Sequence, residues 1–188
     1  ASLLGTKLLS QCYHYTGSPV HQEAARESAR ACTAAQNGDG SWYYGELPVQ
    51  QWIDSFHTGY NLEALVTYQG MTGDTSFSDA IDKGFDFYLN NFFMIDGTPK
   101  YYHNRTYPVD IHSPAQLLVT LCRAGRLDQH RALAERVLEW TIKNMQDSSG
   151  YFYYQKHRFY TNKISYMRWS NAFMFNALSL YLLHSSCK

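Results

Sequence analysis

The chain repeats itself. Gly17, Gly73 and Gly125 mark one kind of break, and Gly40, Gly97 and Gly150 mark a second, with 52–57 residues between equivalent marks. Helical patterns fill the intervals. A repeat of this length predicts a series of helical hairpins, each too small to bury its apolar face alone.

Residues 1–15 read as a mostly apolar helix (Leu3, Leu4, Leu8, Leu9, Cys12) stopped by Thr16-Gly17-Ser18-Pro19. Residues 20–36 read as a more polar helix whose small residues Ala24, Ala31, Ala34 and Ala35 face one way. The second unit has an apolar helix over 58–70, then an amphipathic one with Phe77, Ile81, Phe85, Tyr88 and Phe92 at helical spacing. The third has an apolar helix over 114–123 and an amphipathic one over 129–145, and a last apolar helix covers 170–183.

Helices apolar on nearly all sides thus alternate with amphipathic ones. That predicts inner helices buried on both sides and outer helices wet on one. The count is inner–outer three times and one further inner helix, seven in all. The expected fold class is all-α: an α/α toroid, here an incomplete α/α barrel of inner/outer hairpins with aromatic loops at one end. Residues 1–188 are expected to form one domain. The pattern opens inside an inner helix and closes on one, so the expectation is the C-terminal part of a longer toroid or self-association that completes the ring.

Sixteen basic and sixteen acidic residues give a formal net charge of zero, which offers no electrostatic reason to expect nucleic acid or an anionic membrane as partner. No apolar run is long enough to span a bilayer. Cys12, Cys32, Cys122 and Cys187 show no metal spacing; they read as buried reduced thiols and favour a cytoplasmic protein.

Aromatic residues make up 16% of the chain, including 16 tyrosines, and they crowd the loops. Those loops run into the apolar helices at three related corners: Trp52-Ile53-Asp54-Ser55-Phe56-His57, Tyr107-Pro108-Val109-Asp110-Ile111-His112, and Tyr166-Met167-Arg168-Trp169-Ser170-Asn171. In a helical toroid such corners surround one mouth of the central cavity. Asp54, His57, Asp110, His112 and Arg168 are the candidate catalytic residues there, since carboxylates with histidine move protons. Arg168 stands out because a helix N-terminus disfavours a cation, so capping gives no reason for it. Trp42, Tyr43, Glu46, His103, Arg105, Tyr107, Arg158, Lys163, Tyr166 and Asn171 are candidate substrate-binding residues, aromatic planes for sugar rings and cations for carboxylates. Each has a plainer role open to it: Asp54 and Asp110 as helix caps, His57 and His112 as buried structural groups, Trp42 and Tyr43 as plugs between hairpins. No ligand motif supports a metal site, and no cofactor is expected.

The stretches DGSWYYGE, WIDSFHTGYNLEAL, DGTPKYYHNRTYPVDIHSPAQ, LEWTIKNMQDSSGYFYY and YTNKISYMRWSNAFMF together resemble the VpsJ-like polysaccharide-biosynthesis family of prokaryotes. That family lies within the six-hairpin glycosidase-like α/α toroids. The resemblance implies polysaccharide metabolism and an oligo- or polysaccharide partner. The leading expectation is a carbohydrate-processing protein that acts on or binds an acidic oligosaccharide, as a hydrolase, lyase or epimerase. A non-catalytic glycan-binding or assembly protein would use the same rim. A terpenoid-cyclase or prenyltransferase-like toroid is a lesser alternative, and it would need an Asp-rich or zinc motif.

Overall fold

The computed structural model describes residues 2–186, and seven α-helices occur among them. They are α1 (Ser2–Thr16), α2 (Pro19–Ala34), α3 (Ser55–Thr72), α4 (Ser78–Asn91), α5 (His112–Arg123), α6 (Arg131–Met145) and α7 (Ala172–Ser186). Three two-residue strands, β1 (Val109–Asp110), β2 (Gln155–Lys156) and β3 (Thr161–Asn162), form a small antiparallel sheet in the order β1-β2-β3. The chain divides into two compact units. The first runs through Ile53 and resumes over His57–Leu89; the second holds Asp54–Phe56 and the chain from Asn90 onward.

In the first unit α1 packs along α2, tied by a hydrogen bond from Thr6 Oγ1 to Ser28 Oγ at 2.8 Å. The buried stripe of α2 is not the predicted one. Ala25 and Ala29 are buried, whereas Ala24, Ala31, Ala34 and Ala35 are exposed. Alanine gains little from burial on any face, so it does not fix the phase of a helix. The phase is set by larger neighbours: the indole N–H of Trp42 reaches the Cys32 carbonyl at 3.0 Å. Leu62, Leu65, Tyr68, Phe85 and Tyr88 complete this core, each at 1% exposure or less, and burial of one such side chain contributes about 1.5–3 kcal/mol. Lys7 of α1 forms an ion pair with the buried Glu63 of α3.

In the second unit α5 is buried from His112 through Cys122, as an inner helix should be. It packs along α7 and against α6. The stripe Ala134, Val137, Thr141 and Met145 buries the inner face of α6. α1 and α7 depart from the expectation of burial on both sides: Leu4 and Leu8, and Phe175, Leu182 and Leu183, are exposed. Of the cysteines, Cys122 is buried and burial pushes its thiol up to about 11. Cys12 and Cys32 are only half-buried, and Cys187 lies outside the described residues.

All six marker glycines adopt φ between +65° and +99°, and no other described residue has positive φ outside them. At two of them the requirement is also steric. A Cβ on Gly40 would strike the carbonyl of Lys83 in α4, and a Cβ on Gly97 would strike that of Arg136 in α6. The same five-residue loop recurs three times, closed by N–H to carbonyl bonds from Asn37 to Ser41, Met94 to Thr98 and Asp147 to Tyr151 at 2.8–3.0 Å. No helix among the described residues is long and apolar enough to cross a membrane.

Candidate functional site

The second unit assembles a carboxylate site where β1 runs into α5. Pairing of β1 with β2 sets Asp110 opposite Gln155. Asp110 is 1% exposed, and its carboxylate accepts from three donors. These are the His112 backbone N–H on Oδ1 at 2.9 Å, the Gln155 side-chain amide on Oδ2 at 2.7 Å, and the Trp169 side chain. Burial outweighs them and raises the Asp110 carboxyl above the ordinary aspartate range; the nearby charge of Asp54 adds to the rise. A carboxyl inclined to keep its proton is suited to act as an acid.

Asp54 occupies the equivalent corner one repeat earlier. It bridges to Tyr102 as Asp110 pairs with Gln155, and Ser55 N–H donates to the Tyr101 carbonyl (2.9 Å) as Ile111 N–H donates to that of Tyr154 (3.1 Å). Asp54 is also buried, and the two corners are joined by Ser55 Oγ donating to Ser113 Oγ at 2.6 Å. This register equates Asp54 with Asp110 but Phe56, not His57, with His112. The rings of Phe56 and His112 stack, 4.9 Å apart and 18° from parallel. His57 falls one residue further along α3, in the first unit.

Aromatic side chains wall the carboxylates. Burial, with the charges of Asp54 and Asp110, pushes the Tyr101 phenol well up, and burial with help from Asp110 raises the Tyr154 phenol. Both phenols therefore hold their protons more tightly than an ordinary tyrosine does. Tyr154, Tyr166 and Trp169 line a cleft of about 360 Å³. Trp169 belongs to a π-helical turn, Met167–Asn171, that precedes α7, a local distortion common at functional sites. It meets the His112 ring edge-on at 4.2 Å.

The other predicted residues of this unit spread around that centre. Arg168 shares the π-helical turn with Trp169; it is exposed, and its side chain makes no hydrogen bond or ion pair among the described residues. Asn171 Oδ1 accepts the Phe152 N–H at 2.9 Å and so fixes the loop end. The Arg105 guanidinium lies 4.1 Å from the Tyr102 ring centroid, His103 is half-buried nearby in sequence, and Tyr107 is exposed. Arg158 in the β2–β3 turn and Lys163 just after β3 are exposed, and Tyr166 meets Tyr154 edge-on at 5.2 Å.

The first unit holds the remaining four. Tyr44 stacks on Trp52 at 4.4 Å, and His57 meets the Tyr44 ring edge-on at 4.7 Å. Trp42, Tyr43 and Glu46 line a second cleft, of about 210 Å³, together with Tyr44 and Asn61. Trp42 is buried with its indole N–H used by the Cys32 carbonyl and its ring against Gly84, so it also packs the core. Among the described residues no group of three His, Cys, Asp or Glu side chains is arranged to hold a metal ion.

Gln155 and Trp169, the two side chains that hold Asp110, are absent from the sequence-based site. Trp169 had a signal, since it lies in the Tyr-Met-Arg-Trp stretch beside Arg168. Gln155 had none, because its role depends on strand register.

No protein-family model matches the chain, and no curated protein does. Solved structures do. A GH76 α-mannanase from Bacteroides thetaiotaomicron is 12% identical with a TM-score of 0.73, over 98% of this chain and 55% of that one. An unsaturated glucuronyl hydrolase specific for heparin is 16% identical with a TM-score of 0.70, over 96% and 49%. A polysaccharide lyase is 11% identical with a TM-score of 0.68, over 96% and 58%. These neighbours are six-hairpin glycosidase-like toroids, and the fold of this chain is an α/α toroid. The chain spans about half the length of the structures it matches.

Proposed function

We propose that this chain is the carbohydrate-processing part of an enzyme of polysaccharide metabolism that acts on an acidic oligosaccharide, with Asp110 and Asp54 as its working pair. The observation that carries the reading is the state of Asp110: a buried carboxyl, raised above its ordinary range, beside a second buried carboxylate and an aromatic cleft. Carbohydrate hydrolysis commonly divides its work between two carboxyl groups, one giving a proton and one activating water or attacking. Asp110 is the proton donor in this scheme, and Asp54 is its partner carboxyl group. Tyr166 and Trp169 supply apolar planes for the sugar ring. Arg168, exposed beside them, meets the substrate's carboxylate.

The fold neighbours include hydrolases and a lyase, which supports carbohydrate chemistry without choosing the bond acted on. The polysaccharide-biosynthesis resemblance bears on pathway rather than on mechanism. The chain serves, in this reading, as about half of a toroid completed by further chain or a second copy. Assay of Asp110→Asn and Asp54→Asn against uronate-bearing oligosaccharides tests the proposal. Turnover should fall at least about a hundredfold in the first variant, the scale of one general acid, with the fold intact by circular dichroism. Unchanged turnover in both would remove the carboxylates from the mechanism.

A further inference from the structure

Residues 151–168 carry Lys156, Arg158, Lys163 and Arg168 and not one aspartate or glutamate, in a chain whose formal net charge is zero. The stretch is built as an arm. β2 pairs with β3, and the His157 N–H donates to the Tyr160 carbonyl at 2.8 Å, which closes the turn between them. His157 and Tyr160 stack 4.3 Å apart and 10° from parallel, which stiffens the tip. Phe159 and Tyr160 nevertheless stand 89% and 62% exposed.

Side chains of that size and apolarity, grouped and exposed, mark an interaction surface more often than a solvated loop. The arginines among them are available, whereas Lys163 also faces the Asp147 carboxylate just outside the stretch. Arg158 lies 5.3 Å from the Phe159 ring centroid and Lys163 lies 5.2 Å from that of Tyr153. Arg158 and Arg168 have no carboxylate partner among the described residues. At its base the arm is continuous with the carboxylate site, since Gln155 of β2 holds Asp110.

We infer that the β2–β3 hairpin binds the strand of an anionic polysaccharide beyond the sugar that reacts, through Arg158, Phe159, Tyr160 and Lys163. Flat aromatic faces pack against the rings while the cations pair with their carboxylates or sulfates. Continuity with the cleft lined by Tyr154, Tyr166 and Trp169 argues for the polymer as occupant, because one strand then fills cleft and arm together. The identity of that polymer rests on the proposed function; the charge and aromatic pattern of the arm does not.

The test is binding to intact protein, by affinity electrophoresis and calorimetry, with polygalacturonate, short galacturonate oligomers, neutral mannan and single-stranded DNA. Polygalacturonate should bind more tightly than the short oligomers and weaken with salt. Arg158→Gln/Lys163→Gln, two exposed changes, should weaken it about tenfold or more, and Phe159→Ser should weaken it independently. Asp110→Asn should keep polymer binding. Equal binding of mannan, equal or tighter binding of DNA, no dependence on chain length, or an unaffected double variant each overturns the inference. Polymer binding without turnover of any saccharide would sink the proposed enzyme alone; turnover with an unaffected double variant would sink the arm alone.

Discussion

The side-chain amide of Gln155 donates to Oδ2 of Asp110 at 2.7 Å, from the middle of a sheet whose strands are two residues long. A neutral donor thereby steadies a buried charge. Removing it should leave Asp110 still more reluctant to ionise. Gln155→Leu is expected to move the limb of the pH–rate profile governed by Asp110 upward by about one unit, the scale of one hydrogen bond to a charged group. A profile that does not move would separate Asp110 from the rate.

The same carboxyl ties stability to pH. Its folded value is raised, mainly by burial, so the folded chain holds the proton more tightly than the unfolded chain does. Stability from this group is complete below the ordinary aspartate range and is lost as pH rises through the raised folded value. Asp110→Asn should cancel that loss. Thermal melts of the two proteins should diverge in favour of the variant as pH rises through this window, and their difference should become independent of pH above it.

Three equivalent glycines offer an internal comparison. Gly40, Gly97 and Gly150 all adopt positive φ, but a Cβ collides with a carbonyl only at Gly40 and Gly97 and meets open space at Gly150. Alanine at Gly150 should cost about 1–2 kcal/mol, the price of a left-handed residue. At Gly40 or Gly97 the collision should bring the total to roughly 2–5 kcal/mol. Urea denaturation of the three variants checks the order.

The ion pair of Lys7 with Glu63 joins α1 to α3 with Glu63 7% exposed and Lys7 22% exposed at the side chain. Lys7→Met removes the cation from a buried carboxylate and should destabilise the chain by about 2–3 kcal/mol, less than for a fully buried pair because Lys7 is partly wet. Adding Glu63→Leu should recover much of the loss, which a double-mutant cycle reads directly. Independent, additive losses would show that the pair does not couple the helices.

The hairpin plan is legible because only glycine takes left-handed backbone at no cost, so the six breaks stand out in the sequence. Apolar spacing locates the helices for a similar reason: large side chains must face the core. Where small residues carry the face, as in α2, the phase is lost, and Ala25 and Ala29 are buried in place of the predicted set. The site divides in the same way. Asp54 and Asp110 show themselves as acids at repeated corners. The pairing of His57 with His112 does not survive the backbone register, which sets His112 against Phe56. At the third corner a helix dipole draws notice to Arg168, yet the π-helical turn brings Trp169 to Asp110. Gln155 acts across 45 residues of chain, and no local pattern announces that.

The most direct test of the account follows uronate-containing and neutral oligosaccharides by NMR in deuterated water with the protein present. The account predicts change in the uronate-bearing sugars alone, lost with Asp110→Asn. New anomeric signals would name hydrolysis, unsaturated-sugar signals elimination, and deuterium at a ring carbon epimerisation. Line broadening with no new species, in a sample whose Asp110→Asn variant behaves identically, would contradict it and leave a glycan-binding protein.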